Sequence, residues 1–586
     1  MKNLRRSAAS LSRKDVRVSD PPKAPRQLEP FSARAFPWHT GFLVLVGLLG
    51  LFKMVNADIW WHLRTGELIL KSGTIPATDW YTYTNPEAPW IDLHWLFQLV
   101  AWAVYSIGGA AGLVLVKCIV GMLAFLACLS IRKRNWDPAI DVLCWIVPVF
   151  IFAGRFLVRP EVVTIAFLAT TLLILHSAER RPRLLWFLPV VQLAWVNTQS
   201  LFVLQWVIIG CYCLDALARS YRNGKSTLPV SSRRFAGILG VTAIATFCNP
   251  YGARGVFFPF VIFQKLRGPD REFFHSFASE LRGPLDLVND FGLYRVLVQP
   301  TTILLLLLLI AAGTVTVVRW KRGDWEIFRT LLLLGFAYLA LKMTRNSALF
   351  AVVAGYVLRW NLGVVMERPV ARLVHRFPRL IRSVSLATLV LAVLLVSSGA
   401  YHNRMRVVPP REFGIGESSW YPHEAARALL EPGMPKRVFA HHLGVAAVCI
   451  KSAGPEKTVF VDARLETNTK ETLADYKEII DGLGMQSELA LRRLAGDPDP
   501  AKWPAVVIAN HELASRPGLL GFLAGHPEWV CVFSQPPAGL DIGAPERSFI
   551  GGASVFVARR RQEREGIPGA DPRWLFVVAR NRAQGM

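Results

Sequence analysis

Over its first 400 residues the chain alternates long apolar runs with short polar segments, and after that the period changes. The apolar runs lie at roughly 38–55, 110–130, 139–158, 161–178, 184–197, 199–218, 234–248, 298–318, 327–342, 345–360 and 382–400. Several reach the ~20 residues that span a hydrocarbon core, and the shorter ones include flanking Trp or Tyr, residues of the membrane–water boundary. Eleven crossings are predicted. A further run, 93–107, is short and starts among polar residues. From about residue 401, short β-rich runs (Arg437–Ala440, Thr458–Val461, Ala505–Asn510, Trp529–Phe533, Ser554–Ala558) alternate with helical stretches at 470–483, 486–495 and 515–524. That alternation predicts a small α/β domain. No Gly-rich phosphate-cradling fingerprint accompanies it, so its fold names no ligand.

The expected architecture is an all-α polytopic membrane domain of about 11–13 transmembrane helices over 38–400, followed by an α/β domain over 401–586. Residues 1–37 are polar, with Pro21, Pro22 and Pro25 and nine Lys/Arg, and read as a disordered basic cytoplasmic tail. The run 38–55 has no small-residue cleavage site and reads as a retained signal anchor. Composition agrees: 52% of the 586 residues are apolar and 19% charged, against about 25% charged in globular chains. Disordered, collagenous and ordinary cytosolic classes are excluded. The net charge of +25 fits basic cytoplasmic loops better than nucleic-acid binding. The eight cysteines do not read as a disulfide framework, since six lie in or at the ends of apolar runs.

Charge placement orders the crossings. Lys and Arg cluster at 1–37, 131–137, 178–184, 219–234, 319–329 and 359–382, and the positive-inside rule asks all of these to be cytoplasmic. They share one side if 93–107 is an interfacial or re-entrant helix. The segments 56–109, Arg155–Glu161, Trp195–Ser200, 249–297 and Met343–Ser347 then fall on the extracytoplasmic face, together with the tail from 401.

The first of these segments carries the most chemistry. Asp58 opens a helical pattern that runs to about Lys71, with Gly73 as its C-terminal stop. Asp58 is either an N-cap or a carboxylate at the membrane surface able to act as a general base or to hold a divalent metal. His62 shares its helix face; Asp92 and His94 follow in the loop. Trp60 and Trp61 are boundary anchors or sugar platforms. Arg155, Arg159 and Arg345 are snorkelling side chains, or, for Arg159, a partner of Glu161, or guanidiniums that hold a lipid phosphate. Asn197, Asn249 and Tyr251 stand at the ends of other crossings on the same side. In the tail, Asp462 reads as an ion-pair partner of Arg464, and His441–His442 cannot face one metal from a strand.

With those residues in view, the sequence resembles the C-type glycosyltransferase superfamily (GT-C). More narrowly, it looks like bacterial membrane proteins related to the dolichyl-phosphate-mannose–protein mannosyltransferases and to the lipid-A-core and aminoarabinose transferases. The matching stretches are DIWWHLRTGELILKSGTIPATDWYTYT, PWIDLHWL, RPEVVTIAFL, WVNTQSLF, NPYGARGVFFP and TRNSALFAVV, with KRVFAHHLGVAAVCIKSAGPEKTVFVDARLE in the tail. The resemblance implies an inverting sugar transfer from a polyprenyl-phosphate donor to a glycan, lipid or protein acceptor outside the bacterial cytoplasmic membrane. The family's first-loop acid maps onto Asp58. Arg159 and Arg345 are chosen by position for the donor phosphate, with Arg155 beside them, and Trp61, Asn197, Asn249 and Tyr251 as cavity-lining or acceptor residues. The sequence departs from the narrower group at His94, where Glu is expected. Two other classes stay open: a non-catalytic scaffold of the same fold that presents 401–586, and a transporter. Against the last, polar groups gather at one face and few charges lie inside the apolar runs.

Overall fold

The computed structural model describes residues 35–131, 137–224, 226–277, 279–284, 286, 288, 300–365, 377–404, 411–509, 522–535 and 552–570. Residues 1–34 of the basic tail and most of the expected helix 515–524 lie outside them. Each of the eleven apolar runs carries a helix: α1 (Phe36–Gly50), then α2 (Ile59–Ser72) in the first loop, α3 (Trp95–Ser130), α4 (Pro138–Ala153), α5 (Pro160–Ser177), α6 (Leu188–Val196, entered through a 3-10 turn), α7 (Val203–Asn223), α8 (Ser232–Phe247), α9 (Ala253–Arg267) and α10 (Arg271–Phe277) in a long loop, α11 (Pro300–Lys321), α12 (Ile327–Lys342), α13 (Ser347–Val365) and α14 (Pro378–Ser397). Six helices among the described residues are long and apolar enough to cross a membrane: Trp95–Ser130, Pro160–Ser177, Ser200–Asn223, Pro300–Lys321, Thr344–Val365 and Pro378–Ser397. The other five runs form helices of 15 or 16 residues, about 24 Å at 1.5 Å per residue.

Polar contacts sort the helix ends into two groups. At one end, Asp215 pairs with Arg219 at 2.8 Å and accepts from the Ile327 amide at 3.1 Å. Arg322 donates to the Val365 carbonyl, Arg382 pairs with Asp137, and both His39 and Arg359 meet Asp141. These are the termini beside the basic clusters. At the other end, Asn197 donates to the Cys248 carbonyl, Tyr251 to the Pro76 carbonyl and Lys265 to the Leu465 carbonyl. The described residues of the five polar segments expected to share a face do so, and the sheet domain joins them there.

The run 93–107 continues into the next without a loop, but the path does not stay straight. Gly109 breaks α3 with φ 56° and ψ −154°, a conformation glycine alone adopts readily. Residue 112 returns to residue 104, and a Cβ on Gly112 would sit 3.3 Å from the Val104 carbonyl oxygen. The first half of α3 is therefore a separate arm folded back on the second. It packs on α2 at Gly66, where a Cβ would lie 2.2 Å from the Gln98 carbonyl oxygen. Since that neighbour is backbone, Gly66→Val is expected to force the two helices apart at a cost of about 1–3 kcal/mol. Thermal unfolding of the purified protein checks this; an unchanged midpoint would contradict the close approach.

The C-terminal region holds β1 (Arg437–Ala440), β2 (Thr458–Val459), β3 (Ala505–Ala509), β4 (Trp529–Ser534) and β5 (Ala553–Ala558). They form one sheet of order β2-β1-β3-β5-β4, parallel through β2, β1 and β3 and antiparallel thereafter. Helices α15 (Leu443–Ala453), α16 (Lys470–Gly484) and α17 (Glu488–Ala495) accompany it. All eight cysteines are free.

The expected boundary at residue 401 does not separate two cores. Ile59, Trp60, Trp61, Tyr81 and Trp90 of the first loop share one apolar cluster with Val438, Val445, Val507 and Val555 of the sheet domain. Thr82 pairs in parallel with Val459 at the sheet edge, the Tyr83 amide donates to the Val459 carbonyl and the Val459 amide to the Tyr81 carbonyl. At this junction Arg464 donates to Asp462 at 2.6 and 2.9 Å and to Asp79 at 2.5 Å, and all three side chains are fully enclosed. The Asp462–Arg464 pair was expected; its third member, Asp79 of the first loop, has no sequence signature.

Candidate active site

Asp58 occupies the N-cap position of α2, but its side chain makes no capping hydrogen bond. It pairs instead with Arg159 at 2.9 Å, and 30% of the side chain stays accessible. Pro160 fixes the start of α5, which leaves Arg159 extended just ahead of it and turned toward α2. Its Nε donates to the Asn56 carboxamide oxygen at 2.8 Å, while Asn56 donates to the Val158 carbonyl at 3.2 Å. Beyond Asp58, Arg159 reaches Glu280 at 3.5 Å. Glu280 also accepts from Arg155; Arg155 pairs with Glu161 at 2.8 Å, and Glu161 with Arg345 at 2.9 Å. Three arginines and three carboxylates from four chain segments thus form one continuous chain of ion pairs. Arg155, Glu161 and Arg345 line a common hollow with Thr164, Leu201 and Asn346.

The electrostatics separates the acids. Burial pushes the Asp58 carboxyl up from its ordinary value, and Arg159 offsets this only in part. Burial would raise Glu280 as well, but Arg155 and Arg159 outweigh it and hold that carboxyl well below the ordinary range. Asp58 is the carboxylate of the two with an appreciable affinity for a proton, as a general base requires.

A second group lies beside the first. His62 does not join Asp58. It stacks on Trp61 at 3.6 Å, meets Gln98 at 3.3 Å and lies 5.5 Å from the His94 ring. Burial and the His94 and Arg159 charges depress it far below an ordinary imidazole. Asp92 is enclosed and accepts from the His94 amide at 3.1 Å, with its carboxylate 3.6 Å from the His94 ring nitrogen. Burial alone would lower His94; Asp92 reverses that and raises it. Glu466, which sequence reasoning missed, faces His94 from the sheet domain and is raised by burial.

Other expected positions change role. Trp61 is 5% exposed and Trp60 fully buried, so both are core, neither boundary anchors nor sugar platforms. The side-chain nitrogen of Asn197 donates to Leu193 and Cys248 carbonyls and its oxygen accepts from Trp95; Asn249 accepts from the Tyr251 amide and donates to Thr246 and Gly252 carbonyls. Both tie loops together and offer no free polar atom to a ligand. Tyr251 anchors the first loop through Pro76, at 2.7 Å. The Arg159–Glu161 pair does not form; Glu161 is shared by Arg155 and Arg345. No group of three or more His, Cys, Asp or Glu among the described residues is placed to hold a metal. At Asp58 the Arg159 guanidinium stands where a further ligand would be needed, so the expected divalent metal does not fit there.

No protein-family model matches this sequence, and no curated protein matches it. Among solved structures the chain is similar to the archaeal oligosaccharyltransferase AglB from Archaeoglobus fulgidus, in complex with an inhibitory peptide and a dolichol-phosphate. The TM-score is 0.52 over 87% of this chain and 74% of that one, at 12% identity. The fold resembles that of this oligosaccharyltransferase. With its apolar helices, this makes the chain a multi-pass membrane protein. At that identity the likeness carries the fold alone.

Proposed function

We propose that this protein transfers a sugar from a polyprenyl-phosphate donor to an acceptor on the extracytoplasmic side of the bacterial cytoplasmic membrane, with inversion. The observation that carries the reading is the single ion-pair chain joining Asp58 to Arg155, Arg159 and Arg345. The neighbour's complex with a dolichol-phosphate and a peptide supports a lipid-linked donor and admits a protein acceptor. The helix termini that adjoin the basic clusters in sequence lie at the opposite end of the helices, and the positive-inside rule favours a cytoplasmic side for that end. In the proposed step the acceptor heteroatom attacks the anomeric carbon while the bond from that carbon to the phosphate oxygen breaks. The acceptor proton passes to Asp58, and the electron pair leaves with the lipid phosphate. A phosphate leaves without a protonating acid when positive groups take up its charge, which suits one basic carboxylate at the end of an ion-pair chain that holds three guanidiniums. In this reading His94, with Asp92 beside it, orients the acceptor.

The arginines are fully paired, an arrangement that also fits a non-catalytic scaffold of the same fold. One experiment separates the two. The full chain in liposomes is supplied with polyprenyl-phosphate sugars and a cell-envelope extract, and release of free polyprenyl phosphate is followed. Acceptor-dependent release is expected; folded protein that releases none from any donor would favour the scaffold.

A further inference from the structure

We propose that Glu280 is a positioning residue that holds the place of the donor phosphate between Arg155 and Arg159 in the empty protein, yields it to the donor, and returns to displace the lipid phosphate after transfer. This rests on the reading of the arginines as a phosphate site. Three features single out Glu280 from the other two acids. It bridges two guanidiniums, and such forks grip carboxylate and phosphate alike. Its side chain is the most open of the three, 34% accessible against 30% for Asp58 and 22% for Glu161. It rides on a one-turn 3-10 helix, Ser279–Leu281, whereas Asp58 and Glu161 are fixed at the starts of α2 and α5.

Charge gives the device its direction. Three arginines against three carboxylates leave no net charge to attract an anion. A donor phosphodiester carries one negative charge, the same as the carboxylate it replaces, so exchange keeps the balance. The product is a phosphomonoester, which carries about −1.5 to −2 at neutral pH when it is like a phosphorylated side chain. Left alone, it would bind the arginines more tightly than the donor did. A competing carboxylate on the same two guanidiniums weakens that grip and speeds release.

Glu280→Gln removes the competitor while keeping size and hydrogen bonding. If Glu280 fills the site about 90% of the time, apparent affinity for the anion is reduced about tenfold. The full chain in detergent is therefore expected to bind a short-chain polyprenyl phosphate about tenfold tighter in Glu280→Gln, and multiple-turnover transfer to show stronger product inhibition. Glu280→Asp, which keeps the charge, is expected to behave like the unaltered chain, and Arg159→Ala to lose binding. If Arg159→Ala loses binding but Glu280→Gln binds equally or more weakly, Glu280 is only a structural partner and the proposal is overturned while the donor reading stands. Failure of both the unaltered chain and Glu280→Gln to bind would remove the donor reading and this inference with it.

Discussion

Asp58→Asn is expected to lower sugar transfer by about 10²–10⁴-fold, the usual contribution of a positioned general base, with little effect on folding. The amide is isosteric, and Asp58 makes no capping bond whose loss would fray α2. Donor binding should be kept or strengthened, because Arg159 loses the carboxylate at 2.9 Å that partly neutralises it. The two effects together, rate lost and affinity retained, distinguish a base from a structural ion pair. The pH profile adds a sign. A base works only when deprotonated, and the Asp58 carboxyl lies above the ordinary value of 3.8 because burial outweighs Arg159. Transfer should therefore fall, as pH is lowered, at higher pH than an unperturbed aspartate would dictate, and that limb should vanish in Asp58→Asn. An Asp58→Asn chain that keeps the full rate and the same acid limb would exclude Asp58 as the base.

The second large effect is on stability. Arg464→Met should cost about 3–5 kcal/mol, the range for removing one partner from a buried ion pair. Here the loss strands two carboxylates, Asp79 and Asp462, inside a cage of Trp61, Tyr81 and Trp90; the guanidinium lies 4.3 Å from the Trp90 ring centre. Neutralising all three positions, as Asp79→Asn, Asp462→Asn and Arg464→Met, should recover much of the loss, since an apolar or neutral replacement of a whole buried cluster is often tolerated. Thermal unfolding and limited proteolysis read both. An Arg464→Met chain as stable as its parent would mean that apolar contact and the backbone pairing at Val459 hold the sheet domain to the first loop without this ion-pair cluster.

Much of this architecture is legible in the sequence because it is encoded locally. Short β-rich apolar runs mark β1, β3, β4 and β5, and the Thr458–Val461 run locates β2, although the strand itself stops at Val459. Gly73 announces the end of α2 and does end it, at φ 68°. Charge alternation along the chain gathers the polar segments on one face, and that gathering is what brings Asp58, Arg159 and Arg345 together. What is not legible is long-range choice of partner. Glu280 is one acid in a long polar loop, and nothing beside it in sequence says that it meets Arg155, 125 residues away. Glu161 stands two residues from Arg159 yet pairs with Arg155 and Arg345, because Arg159 precedes the helix and turns toward Asn56 and Asp58. Trp60 and Trp61 look like boundary aromatics until the sheet domain, far along the chain, covers them. Burial by a distant segment leaves no local mark.

The Asp79–Arg464 contact joins residues 385 positions apart. A ribosome adding about 5–20 residues per second needs roughly 20–80 s to travel between them. For that interval the nascent first loop has its helix α2, its aromatic side chains and its acidic residue already delivered to the membrane surface, with no lid over them. Assembly of this face is thus a matter of timing: the segment made near the start must be kept from unwanted partners until one made near the finish arrives to close over it.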